Sequence, residues 1–161
     1  MYGDRKGGGP NVSIKLPGYE DVHDGVKIFD MGLRDTLRRL TSAGKRVVLM
    51  MDIPEPGFDA RECLGRPLSI TKRVKDVCAV PSAVHELRTR EYRHIMTAAA
   101  KDYPGVVVFE ADKLFCDENW CWAKMDGQLL YRDGDHLTLE GSNLVARELV
   151  KTLIEMGYLK E

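Results

Sequence analysis

Two short runs of consecutive apolar residues, Val47-Val48-Leu49-Met50-Met51 and Val106-Val107-Val108-Phe109, each follow a segment with helical periodicity. A run of that length without polar alternation reads as a strand buried on both faces. Ahead of the first, Val26, Phe29, Leu33, Leu37 and Leu40 recur at spacings of three and four. That spacing predicts an amphipathic helix with one apolar stripe, ended by Gly44 as a left-handed cap residue. Ahead of the second, a helix is predicted from Ser82, acting as N-cap, to about Lys101, with Val84, Leu87, Ile95, Ala98 and Ala99 turned inward. Val145, Leu149 and Leu153 predict a last helix from about Leu139 to Met156. Helix–strand–helix–strand–helix is the order of an α/β protein with parallel strands. The expected fold is therefore three-layer α/β/α with a mostly parallel sheet. Two strands are few for such a sheet, so N-terminal strands are expected to be missing from the chain.

At 161 residues the length suits one domain. With 24 basic against 25 acidic side chains, net −1, nothing favours a nucleic-acid backbone or an anionic membrane surface as partner. The longest strongly apolar run, Val47 to Met51, falls far short of the ~20 residues that span a bilayer, so no membrane segment is expected in this chain. The N-terminus lacks the apolar core of a signal peptide. Residues 1–25 hold six of the fifteen glycines and two of the seven prolines, and read as a loop segment ahead of a domain over 26–161. Residues 58–80 and 110–127 read as irregular.

Four cysteines lie as Cys63 and Cys78, fifteen apart, and Cys116 and Cys121, five apart. An even count permits two disulfides in three connectivities. Reduced buried thiols are a second reading. Zinc is a third, though the Cys-x4-Cys spacing fits common zinc ribbons poorly. Disulfides would imply an oxidising compartment.

The stretch Tyr131-Arg132-Asp133-Gly134-Asp135-His136-Leu137-Thr138-Leu139-Glu140-Gly141 places two aspartates and a histidine before the last helix. An Asp three residues before a His can turn back and hydrogen-bond Nδ1–H, leaving Nε2 as a general base. A nucleophilic hydroxyl elsewhere would complete a Ser–His–Asp set. On that reading Gly134 permits the tight turn and Asp135 points away from the ring. The competing readings are aspartates that only cap the turn beside an exposed His136, or Asp133, Asp135 and His136 as metal ligands. No metal or cofactor is the favoured expectation. His85 and His94, nine apart, cannot share a metal face and read as surface or packing residues. Trp120 and Trp122 read as packing over the Cys116–Cys121 loop, or as the border of a glycan groove.

Asp133-x-x-His136 followed by Leu137-Thr138-x-x-Gly141 resembles the last motif block of the SGNH hydrolases. A wider ordered set runs from Lys45-Arg46-Val47-Val48-Leu49 and Asp52-Ile53-Pro54-Glu55 through Cys63-Leu64, Val80-Pro81, Arg90-x-Tyr92-Arg93, and Cys116 with Cys121, to Leu130-Tyr131-Arg132-Asp133-x-Asp135-His136-Leu137. This set, over residues 26–157, resembles the SGNH domains fused to acyltransferase-3 membrane domains in bacterial O-acetylases of envelope polysaccharides, the OafA-like proteins. The resemblance implies an SGNH/flavodoxin-like fold and acyl transfer through an acyl-serine. His136 would be the base and Asp133 its orienter. The acceptor would be a sugar or acetylated glycan, and the partner an acyltransferase-3 membrane domain. The domain would sit on the periplasmic side of the inner membrane, where Cys63–Cys78 and Cys116–Cys121 would pair.

The chain contains no Gly-Asp-Ser, the family's nucleophile block, and Gly3-Asp4-Arg5 carries arginine where serine would stand. None of Ser13, Ser42, Ser69, Ser82 and Ser142, nor Asn11, Asn119 and Asn143, has matching surroundings. The chain is thus expected to be the C-terminal part of such a domain and inactive alone. Two other functions remain open: a non-catalytic remnant or glycan-binding accessory module, and a small carbohydrate esterase with an unrecognised serine.

Overall fold

A computed structural model describes residues 17–18, 21–64 and 77–160. The expected loop segment 1–25 therefore falls mostly outside the described residues, as do Asn11, Ser13 and Ser69. In chain order the elements are α1 (Gly25–Ser42), β1 (Val47–Met51), β2 (Ala79–Pro81), α2 (Ser82–Asp102), β3 (Val106–Glu110), β4 (Trp120–Trp122), β5 (Lys124–Met125), β6 (Gln128–Leu129) and α3 (Leu139–Glu155). The fold class is α/β, as the element order predicts, with β1 and β3 as parallel neighbours. The described residues form two compact units, residues 17–51 with 89–109, and residues 52–64, 77–88 and 110–160.

In the first unit, Asp24 caps α1 by accepting the N–H groups of Val26 and Lys27 at 3.0 and 3.3 Å. Gly44, at φ +67°, ends it, and the Lys45 N–H returns to the Leu40 carbonyl at 3.0 Å. That six-residue closure requires the left-handed conformation that glycine adopts without a Cβ penalty. Leu37, Val47 and Ala99 form the buried centre, with Leu33, Tyr103 and Val106 against it.

Burial departs from the expectation in three places. Val26, Phe29 and Leu40 of the predicted stripe are about 40% exposed, and Ile28 is buried instead. Met50 is 48% exposed, so β1 is not covered on both faces. In β3 only Val107 and Phe109 are fully buried, in alternation. The helix stripe and the strands carry more apolar surface than the Leu37–Val47–Ala99 centre occupies.

In the second unit, β2 and β4 pair antiparallel with Val80 opposite Cys121. The pair β5 and β6 forms a two-residue hairpin through Asp126 and Gly127, at φ +48° and +80°. Asp-Gly is the preferred sequence for such a turn, and it lies at the end of the region expected to be irregular. Ser82 is the first residue of α2 rather than its cap. Its hydroxyl donates to the Asp117 carbonyl at 2.8 Å and its N–H to the Asn119 carbonyl at 3.0 Å, fastening the helix start to the 117–119 loop. Leu87 is exposed, and the inward face of α2 here carries His85. Phe115 and Tyr131 are fully buried with ring centroids 5.6 Å apart.

Cys63 bonds to Cys78, with Cα atoms 5.7 Å apart, and Cys116 to Cys121, which face each other across an antiparallel bridge. The first pair closes a loop of fifteen residues, for which chain-entropy arguments assign about 3 kcal/mol. Non-reducing peptide mapping is expected to recover these two linkages; cross-paired peptides or four free thiols would contradict them.

Candidate active site

The loop bearing His136 is held open by a short ladder. Tyr131 bridges Leu137, the Arg132 N–H donates to the His136 carbonyl at 2.9 Å, and the Thr138 N–H to the Leu130 carbonyl at 2.9 Å. Tyr131 anchors its near side: the phenol is buried and donates to the Pro54 carbonyl at 2.6 Å. Burial also pushes that phenol far above its ordinary range. A second strut comes from the 3-10 turn Ala60–Cys63, where the Ala60 N–H donates to the Asp133 carbonyl at 3.2 Å. The Cys63–Cys78 bond ties down the far end of that turn. On the other side Thr138 caps α3, its Oγ1 accepting the Gly141 N–H at 3.1 Å and donating to the Leu129 carbonyl at 2.7 Å.

Within the loop, Asp133 Oδ1 accepts the backbone N–H groups of Asp135 at 3.1 Å and His136 at 2.8 Å. This is an Asx turn, the reason an aspartate suits the position. Both Asp133 oxygens also lie 3.1 Å from His136 Nδ1. A carboxylate only accepts, so Nδ1 carries the proton and Nε2 is the basic nitrogen. The two backbone donors, ahead of the imidazole, hold the Asp133 carboxyl well below the usual carboxylate range. Arg132 Nε adds a charge at 3.5 Å from Oδ2. The His136 side chain is 60% exposed, which leaves it accessible from solvent.

The turn at Gly134, which has no left-handed φ, is closed by the Asp133 side chain. One detail of the expected turn is corrected. Asp135 does not point away: its Oδ1 lies 2.8 Å from His136 Nδ1. The adjacent backbone amides are both drawn onto Asp133, which brings the 135 side chain round to the ring. Asp133, Asp135 and His136 each offer an atom within 4.8 Å of the others, the grouping a cation would need. With the proton on Nδ1, the ring turns a donor and not a ligand lone pair toward Asp133.

Sequence reasoning missed a second histidine–aspartate pair. His85 Nε2 lies 3.3 Å from Asp112 Oδ2, with both side chains buried. The two are twenty-seven residues apart and no local pattern joins them. Burial makes them a packing element, as expected for His85, while His94 is exposed. Trp120 and Trp122 sit one strand-step apart on β4 with rings 6.4 Å apart, and Trp122 Nε1–H donates to Asp117 Oδ2 at 2.7 Å. That bond ties Trp122 back to the loop closed by Cys116–Cys121. In the other unit, a cleft of about 580 Å³ is lined by Pro17, Met31, Arg34, Asp35, Arg38 and Tyr103 among others. It contains none of the site residues, and its Arg34 and Arg38 are already paired with Asp30, Asp102 and Asp35. No helix among the described residues is long and apolar enough to cross a membrane.

Comparison with known proteins identifies the domain. The family model "SGNH domain (fused to AT3 domains)" matches residues 4–151. No curated protein matches the chain. Among solved structures, the periplasmic domain of the lipopolysaccharide acetyltransferase of Salmonella ser. Paratyphi A has a similar fold, with a TM-score of 0.55 at 18% identity. The likeness covers 87% of this chain and 54% of that one, so the chain spans about half of the domain it resembles.

Proposed function

The chain belongs to the SGNH domains fused to AT3 domains, and on that premise we propose that it supplies the base half of an acyl-transfer site in a bacterial O-acetylase of envelope polysaccharide. The single observation that carries this reading is the exposed imidazole whose Nδ1–H is held by Asp133, with Nε2 left basic. In the proposed reaction the serine of a Gly-Asp-Ser segment, outside this sequence, attacks the acyl carbonyl while Nε2 takes the serine proton. The histidine then returns that proton to the departing group. In the second step Nε2 takes the proton of a sugar hydroxyl as its oxygen attacks the acyl-serine carbonyl, and passes that proton to the departing serine oxygen, so the sugar carries the acyl group and serine and histidine are regenerated. Asp133 keeps the ring oriented and stabilises the imidazolium. The parent would hold this domain beside an acyltransferase-3 membrane domain on the periplasmic side. Two disulfides and a periplasmic structural neighbour support that placement.

The test is a comparison of the chain alone with the chain joined to the first half of a family domain carrying Gly-Asp-Ser. The chain alone is expected to leave an acetylated sugar untouched, and the joined protein to release acetate. Turnover by the chain alone, abolished by one Ser→Ala change, would replace this reading with a self-sufficient esterase. Glycan binding by the chain, with no turnover in either form, would favour an accessory module.

A further inference from the structure

We propose that the segment from Pro54 to Ala60 is a positioning clamp for His136, with the Ala60 N–H as its working contact and the Tyr131 phenol as its fastening; the inference rests on the reading of His136 as the base. The segment, Pro54-Glu55-Pro56-Gly57-Phe58-Asp59-Ala60, is stiff by composition. Its two prolines fix φ at two positions and have no N–H to give to a sheet. Pro54, Pro56, Phe58 and Ala60 are buried, while Glu55 and Gly57 between them are exposed. Alternate residues thus face inward, although the stretch before Ala60 belongs to no helix or strand. It meets the loop that carries the base at three points. The Pro54 carbonyl accepts the Tyr131 hydroxyl at 2.6 Å. The Phe58 carbonyl oxygen lies against Gly134, 3.6 Å from where a Cβ would stand. The Ala60 N–H donates to the Asp133 carbonyl at 3.2 Å.

These contacts decide where the Asp133 carboxylate stands. Both of its oxygens reach His136 Nδ1, and Oδ1 also accepts the N–H groups of Asp135 and His136. Those bonds lie within residues 133–136, so they set the shape of the turn and not its placement. The clamp brings placement from a distant part of the sequence, and it is itself held at both ends. Tyr131 is fully buried against Phe115. Ala60 opens a 3-10 turn that Asp59 caps and that ends at Cys63, which is bonded to Cys78. An exposed imidazole keeps its Nδ1 edge on a carboxylate only while that carboxylate stays in place. Were Asp133 free to swing, Nδ1 would meet water and the neutral ring would revert toward the Nε2–H form of an unrestrained histidine. Ala60 and Tyr131 touch no reacting group. They act through Asp133 and are positioning residues.

The experiment removes each contact and reads the ring rather than the fold. Ala60→Pro deletes the N–H that holds Asp133. The position can take proline: Ala60 is the first residue of its 3-10 turn, and Asp59, at ψ 115°, already has the extended conformation required before proline. Tyr131→Phe deletes the hydroxyl and keeps the ring against Phe115. The full chain is labelled with 15N-histidine, and two-bond 1H–15N correlation spectra are recorded at alkaline pH, where the imidazole is neutral. His136 signals are assigned by their loss in His136→Gln, and His94, exposed on α2, is the internal reference. The parent is expected to show the Nδ1–H form at His136. Each variant is expected to raise the Nε2–H fraction at least twofold, with His94 unchanged. A purely structural contact would lower the melting temperature and leave the ring of the folded protein as in the parent. A parent-like His136 pattern in folded Ala60→Pro would therefore overturn the proposal; should that variant not fold, the same pattern in Tyr131→Phe would. The spectra need no serine or substrate, so this failure would leave the base assignment standing. A parent already in the Nε2–H form would instead remove the base reading, and the clamp with it.

Discussion

Replacing Gly141 with alanine is expected to lower stability by about 3 kcal/mol or more, although alanine is ordinarily the better helix residue. A Cβ at position 141 would lie 2.3 Å from the Leu130 carbonyl oxygen and 3.0 Å from a Leu137 methyl. The first distance is far inside van der Waals contact, and the offending atom belongs to the backbone, so it cannot rotate away. The helix-propensity gain from Gly to Ala is only about 1 kcal/mol. Overpacking a closed site costs roughly 1–3 kcal/mol or more. Moving Leu130 aside would also break the bond from the Thr138 N–H to its carbonyl, another ~1–3 kcal/mol if that group is left unsatisfied. The penalty exceeds the gain. For a domain of this size the melting temperature should fall by roughly 6–12 °C. Gly134→Ala is the control: its Cβ would meet the nearest atom, the Phe58 carbonyl oxygen, at an ordinary 3.6 Å, so it should stay within about 1 kcal/mol of the parent. Equal melting temperatures for the two variants would refute the close-approach explanation for Gly141.

The same residue shows what local pattern can and cannot reveal. Position 141 belongs to the motif that carries the family resemblance, yet the reason for glycine there is a carbonyl eleven residues earlier. The elements with strong local signals were legible: α1 from its stripe, β1 and β3 from their apolar runs, α3 from its four-residue repeat. Asp133 and His136 were legible because an Asx turn is a short-range device, set by three residues of spacing. Burial was less legible, since Val26, Phe29 and Met50 belong to apolar patterns whose inward turn depends on what packs over them. The β2–β4 pairing joins strands about forty residues apart, and His85 meets Asp112 across a similar kind of gap. Neither leaves a local trace. The β5–β6 hairpin did leave one, Asp126-Gly127, obscured by the cysteine-bearing loop before it. Asp135 was misplaced because alternation along the turn was assumed, whereas two consecutive amides converge on one carboxylate oxygen.

His136→Ala, in the chain joined to a Gly-Asp-Ser segment, is expected to reduce acetyl release by about 10²–10⁴-fold, the range for loss of a positioned general base. The fold should be nearly indifferent to the change. The imidazole is 60% exposed, and the groups of His136 that hold the loop are its backbone N–H and carbonyl, which alanine retains. Losing the exposed ring bond to Asp133 should shift stability by no more than about 1 kcal/mol. The pairing of a large kinetic loss with a melting temperature lowered by no more than about 4 °C separates a chemical role from a structural one. Acidity sharpens the distinction. The Asp133 carboxyl is held low by backbone donors, so its ionised form persists below the ordinary carboxylate range. The stability it contributes is present above its unfolded value of about 4 and is lost only as pH falls through the lower, folded one. Between about pH 5 and 8 Asp133 therefore stays charged, and changes of rate in that window do not arise from its titration. Turnover in His136→Ala within tenfold of the parent, with the fold intact, would remove the histidine from the reaction and reduce the loop to a well-made turn.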